Sequence, residues 1–189
     1  RHLINLLLYC HYLKSVYSLP TEMKSLIIYA LLILASLVSG AQERIIKLDA
    51  KISAVQSAKK INIATVTLFD NDVRVDSIVT QNGKCIFILK ENHRYKIEFS
   101  KAGYVSKYLV IETTDLPEKG KKKFKVKVEV VLFASRQGLK MDFLKLNPIG
   151  IAKYESIYKK IKWDEEYTRS IEELIIHETL HYHKEKSEE

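Results

Sequence analysis

The sequence predicts a mainly β protein: a seven-stranded antiparallel β-sandwich followed by a C-terminal helical extension. Three observations lead there. Between Arg44 and Ala134 apolar residues recur at every second position, the period of a half-buried strand. Turn-forming residues interrupt that pattern at short intervals, as they do in sandwiches. After Asp164 the apolar spacing changes to that of an amphipathic helix. No helical period interrupts the strands, which argues against a parallel α/β sheet.

The strands follow in order. "RIIKLDAKISA" sets Ile46, Leu48, Ala50 and Ile52 on one face, with Lys47, Asp49 and Lys51 on the other. "INIATVTLF" alternates Ala64, Val66 and Leu68 with Thr65 and Thr67, and "VRVDSIVTQ" comes next. Asn82-Gly83 predicts a hairpin with a type I′ turn, which needs positive φ at both central residues. "KCIFILK" returns from it, and "RYKIEFS" alternates Tyr95, Ile97 and Phe99 with Lys96 and Glu98. Ala102-Gly103 turns the chain into "YVSKYLVIETT". A Pro117-Glu118-Lys119-Gly120 break precedes the last strand, "KFKVKVEVVLFA". There Phe124, Val126, Val128 and Val130 face inward, while Lys123, Lys125, Lys127 and Glu129 face out. The lysines thus clothe the outer face of a strand and discourage strand-to-strand aggregation. A nucleic-acid surface would need a broader basic patch with suitable aromatics, so we expect no nucleic-acid partner.

The stretch "ATVTLFDNDVRVDSIVTQNGKCIFILKENHRYKIEFSKAGYVSKYLVIETTDLP" resembles the carboxypeptidase-regulatory-like domain, a transthyretin-like β-sandwich common in exported proteins of Bacteroidota. An "ATVTLFD" strand is followed by "T-x-x-N-G-K-x-x-F-x-L", then by "Y-x-I-x-x-S-K-x-G-Y-x-x-K". The likeness covers about residues 44–134, roughly half of the chain. "AVQSAKKIN" departs from the Gly-rich link that members often carry between their first two strands. The resemblance implies a prealbumin-like fold and a noncatalytic binding or scaffolding role. An envelope protein or a glycan is the implied kind of partner.

Composition suits that class. The chain has 189 residues, 47% of them hydrophobic, with eleven Tyr and six Phe against six Gly and three Pro, unlike a disordered chain. Met23-Lys24, the run "SLIIYALLILASLV" and the small residues Ser39 and Ala41 read as a signal peptide over 23–41. Cleavage after Ala41 would leave Gln42 first. Residues 1–22 read as upstream or leader sequence, 42–135 as the sandwich and 136–189 as the extension. The expected location is the periplasm or the outer membrane, with peripheral membrane association. Removing residues 1–41 lowers the net charge from +8 to +6 and leaves Cys85 as the one cysteine. A lone cysteine forms no internal disulfide, and its apolar strand setting predicts a buried thiol.

The extension opens with mixed sequence. "GIAKY" and "KKIKW" suit a small hairpin or short extended pieces. Asp164 suits an N-cap, with Glu165 and Glu166 in the first turn of a helix over about 165–184. Tyr167, Ile171, Leu174, Ile175 and Tyr182 share one side, expected to pack on the sandwich.

That helix carries "HETLH", His177 to His181, the H-E-x-x-H pattern of zinc peptidases. Two imidazoles one turn apart can ligate a metal, with Glu178 beside them as base. Glu178 falls within the apolar stripe, however, and His183 is too close to serve as the usual distant third ligand. We therefore expect no catalytic residues, no cofactor and no metal. The functional alternative is a small zinc-dependent metallopeptidase using His177, Glu178 and His181; a noncatalytic surface zinc site of His177 and His181, with His183 as a further ligand, ranks ahead of it as a reading of the motif.

Overall fold

A computed structural model describes residues 44–54, 61–117, 120 and 123–188, together with Pro20. Apart from Pro20, the leader and signal-peptide expectations lie outside the described residues. So does most of the "AVQSAKKIN" connection, at 55–60.

The fold is mainly β. Seven strands run from β1 (Ile45–Ala54) through β2 (Thr65–Asp70), β3 (Val73–Val79), β4 (Lys84–Leu89), β5 (Arg94–Ser100) and β6 (Lys107–Glu112) to β7 (Lys123–Leu132). The extension adds a short helix α1 (Phe143–Leu146), strands β8 (Ile151–Glu155) and β9 (Lys160–Trp163), and the long helix α2 (Glu165–Glu188). The strands form two sheets, ordered β4-β1-β7 and β3-β2-β5-β6-β8-β9. Inward residues of both sheets share one sandwich-like core. The alternating sets meet there as expected: Ile46, Leu48 and Ala50 from β1, Val66 from β2, and Ile97 and Phe99 from β5 are all fully buried. Each large aliphatic or aromatic side chain so buried contributes about 1.5–3 kcal/mol.

Two expectations need correction. The sheets are mixed, with nine strands among the described residues rather than seven antiparallel ones. β1 pairs with β7 in parallel, with Ile46 opposite Phe124 and Ile52 opposite Val130; β6 and β8 are also parallel. Alternation of period two reads the same in either direction, so it assigns faces but not strand polarity. The Asn82-Gly83 hairpin is absent too, because β3 and β4 belong to different sheets. Gly83 does have a φ of +67°, but its role is close approach. Its N–H donates to the Asn62 carbonyl at 3.1 Å, and its carbonyl accepts the Ile52 amide at 2.7 Å. A Cβ there would collide with the carbonyl oxygens of Ile61 and Ile52.

The extension is bonded into the larger sheet. β8 runs beside β6 and turns back into β9 as an antiparallel hairpin, one of the two forms anticipated for "GIAKY" and "KKIKW". Asp164 caps α2 as predicted: its Oδ1 accepts the Tyr167 amide at 3.0 Å. Ile171 then packs with Met141 and Leu144 in a second cluster, joined by Tyr167, Ile175, Val105 and Phe133. The Tyr167 hydroxyl donates to the Pro148 carbonyl at 3.0 Å. Tyr182 lies against Gly138. Leu174 departs from the expected stripe and is 48% exposed. At 100° per residue it stands about 60° from Ile171, at the margin where the helix turns to solvent.

Candidate functional site

β7 is an edge strand of the three-stranded sheet. The extension closes over that edge without pairing to it, leaving a groove of about 600 Å³. Leu109, Val130, Ile149, Trp163, Ile171 and Ile175 give it mainly apolar walls. Gly150 lets Trp163 of β9 and Thr168 of α2 settle there, since a Cβ would press on the Trp163 ring at 3.3 Å and lie 3.5 Å from Thr168 Oγ1. A cavity of this size and lining is of the kind that holds small ligands.

Side chains meet the free edge of β7. Trp163 Nε1 donates to the Lys127 carbonyl at 3.0 Å. Lys107 Nζ donates to the Val131 carbonyl at 2.7 Å and stands 4.2 Å from the centre of the Phe133 ring. Lys107 is only 7% exposed. Burial draws its pKa down to about 8, against an opposing pull from the Glu172 carboxylate. An ammonium so placed keeps two further N–H donors.

The charged groups of the groove divide unequally. Glu129 is paired with Lys51 at 2.9 Å and Glu165 with Lys162 at 3.7 Å. Lys107, Lys127 and Arg169 remain, with Glu172 as the other carboxylate of the lining. Lys127 points its side chain to the outer face of β7 and offers the groove its carbonyl, so Lys107 and Arg169 are set against Glu172, with no ion pair among them in the described residues.

The HETLH motif lies one turn further along α2, outside the groove lining. The His177 side chain is 72% exposed and that of His181 49%. Their rings are stacked with centroids 6.5 Å apart. His177 Nδ1 lies 3.4 Å from Glu178 Oε1, and His181 Nδ1 lies 3.4 Å from Glu185 Oε1. His183 packs edge-on against Tyr182 instead. Glu178 is the most covered of the motif's charged groups, at 27% exposure, in keeping with its position on the packed stripe. Among the described residues, no cluster of three His, Cys, Asp or Glu side chains is placed to share a metal ion. Cys85 is buried, and burial first, Asp49 second, pushes its thiol up to about 11; a thiolate nucleophile needs the opposite shift.

Sequence reasoning missed Lys107 and Trp163 as site residues. Lys107 had a signal: Val105, Lys107, Leu109 and Ile111 share one parity, so a lysine stands on the inward face of an apolar strand. Trp163, the single tryptophan, offered composition alone.

No family model and no curated protein matches the chain. Among solved structures, similarity is distant and includes β-rich proteins. One is a Bacteroides fragilis NCTC 9343 protein of unknown function, thought to be membrane-associated, with 16% identity and a TM-score of 0.36 over 51% of this chain and 30% of that one. Catechol 1,2-dioxygenase from Pseudomonas arvilla C-1 shows 10% identity and a TM-score of 0.34, over 50% of this chain and 54% of that one. S.CueP shows 15% identity and a TM-score of 0.30, over 47% and 62%. The chain spans less than two thirds of the length of each.

Proposed function

We propose that the chain is a noncatalytic, exported binding or scaffolding module of the cell envelope, periplasmic or associated with the outer membrane. Its core would be the transthyretin-like sandwich of carboxypeptidase-regulatory-like domains. The observation that carries this reading is the groove. Its walls are mainly apolar, a buried amine is among its polar groups, and among the described residues its ionisable groups form no acid–base or nucleophile–base pair. Such a surface suits the holding of a ligand. Affinity capture with the full chain from envelope extracts tests the reading. A partner or glycan retained in stoichiometric amount, and released by Ile171→Asp in the groove wall, is expected. Retention that ignores this change would place binding elsewhere on the surface, and no retention would count against the module.

The second reading is the small zinc-dependent metallopeptidase. The one-turn spacing and stacked rings of His177 and His181 favour it. Their exposure weighs against it, because a catalytic metal works within a shaped, water-excluding site. Stoichiometric zinc in the purified protein, with peptidase activity abolished by Glu178→Gln, would overturn the noncatalytic reading.

A further inference from the structure

We propose that the groove between β7 and α2 binds a single-chain amphiphile with a carboxylate head, the head on Lys107 and the apolar chain along Leu109, Val130, Ile149 and Ile171. This names a ligand class for the binding module proposed above and rests on that reading. Four observations converge on it. The volume, about 600 Å³, lies within the range of roughly 300–1,000 Å³ typical of small-molecule sites. The walls offer aliphatic surface for an aliphatic chain. Lys107 Nζ spends one donor on the Val131 carbonyl and keeps two, which match the two oxygens of one carboxylate. The groove lining also sets two cations, Lys107 and Arg169, against the Glu172 carboxylate, with no ion pair among them in the described residues.

The charge pattern selects among amphiphiles. A cationic head would meet the buried ammonium. A neutral alcohol would take one hydrogen bond but leave that charge uncompensated. A carboxylate supplies both hydrogen bonding and charge, in surroundings where each is stronger than in water. Glu172 is near enough to act on Lys107 electrostatically, yet the two form no ion pair among the described residues. A carboxylate entering along the groove, which Lys107 lines, would supply the counter-charge that Glu172 does not.

Trp163 lines the same groove and is the one tryptophan of the chain, so its fluorescence reports on occupancy. The full chain is titrated at pH 7 with decanoate below its micelle concentration, and in parallel with decanol and decyltrimethylammonium. Decanoate should shift Trp163 emission saturably, and decanol should bind at least about tenfold more weakly. The cation should bind least. Lys107→Met should weaken decanoate about tenfold or more and decanol severalfold less than that, and Lys107→Arg should keep most of the decanoate affinity. No saturable response to decanoate, equal binding of the three heads, or unaltered decanoate affinity in Lys107→Met would each overturn the proposal. Should Lys107→Met fail to melt cooperatively, the order of the three heads on the unaltered chain and the Lys107→Arg result decide instead. An envelope partner captured by a chain that ignores decanoate would refute the ligand class and leave the binding module standing.

Discussion

The sandwich strands and the C-terminal extension bury apolar residues by different rules. In β1, β4 and β5 the pattern is local: every second residue goes inward, and Leu48, Phe87 and Phe99 follow it to within 3% exposure. In the extension the second cluster draws Met141 and Leu144 from the segment around α1 and Ile171 from α2, and they meet with Val105 and Phe133. A strand face is thus written in a few consecutive residues, whereas this cluster exists only once the chain has folded back. The groove lies at the seam between the two regions. Its β7 wall is regular and its α2 wall is not, and the site residues Lys107 and Trp163 come one from each side.

The most severe test of the contrast removes a ring from the regular side. Phe99 is fully buried between Val66 on β2 and its neighbours on β6. Phe99→Ala should cost about 3–5 kcal/mol, by lost transfer energy and the cavity left behind. Urea denaturation checks it. Against a typical total of roughly 5–15 kcal/mol, that loss would leave the domain marginal. A cost below about 1 kcal/mol would mean that the core is not packed on this face.

Lys107 bears on the seam itself. Burial holds its pKa near 8 in the folded chain, below the ordinary 10.5. Between those values the unfolded chain carries a proton that the folded chain lacks, so this group makes stability rise with pH across that window. Below about pH 8 both forms are protonated and the full penalty of burying the ammonium applies; above 10.5 both are neutral and it is gone. The total swing is about 3 kcal/mol. Tyr95, Tyr108 and Tyr167 have phenols pushed up by burial, and they oppose the trend above pH 10. Chemical denaturation from pH 7 to 9.5 should therefore show the unaltered chain gaining on Lys107→Met. Parallel curves would show that the amine is solvated rather than buried.

Within α2 the two faces separate next. Ile171→Ala should cost about 2 kcal/mol, because it empties the second cluster. Leu174→Ala, at the exposed margin, should change stability by no more than about half a kcal/mol. Thermal melts of the two variants compare them directly. Equal losses would restore the broader stripe that the helical period suggests.

Legibility follows the same divide. The strand faces, the Asp164 cap and the two short pieces around residues 151–163 could be read because each rests on a local signal: alternation, a capping side chain, a change of period. Strand direction could not be read, because alternation is symmetric under reversal. Asn82-Gly83 misled for a related reason. Glycine marks positive φ or a close backbone approach alike, and only the neighbouring Ile52 and Ile61 carbonyls distinguish them. The groove was illegible as a whole, because its walls come from β6, β7 and α2, which are distant in sequence. Only the inward parity of Lys107 pointed to it.

The smallest expected effect tests the facing assignment of β7. Lys125 stands on the outer face, with half of its side chain exposed, 3.3 Å from Asp49 on the adjacent strand. That pair is solvated, so its Coulomb attraction is screened and is offset by the entropy of holding both side chains. Lys125→Ala should therefore change stability by no more than about half a kcal/mol, and added salt should erase most of the difference. Val126, the next residue, points inward and is buried. Val126→Ala should cost several times more, because it removes methyl groups from a packed core. The comparison needs no ligand and reads the strand one residue at a time. Similar costs at 125 and 126 would place β7 edge-on to the core, and the wall of the groove would then have to be redrawn.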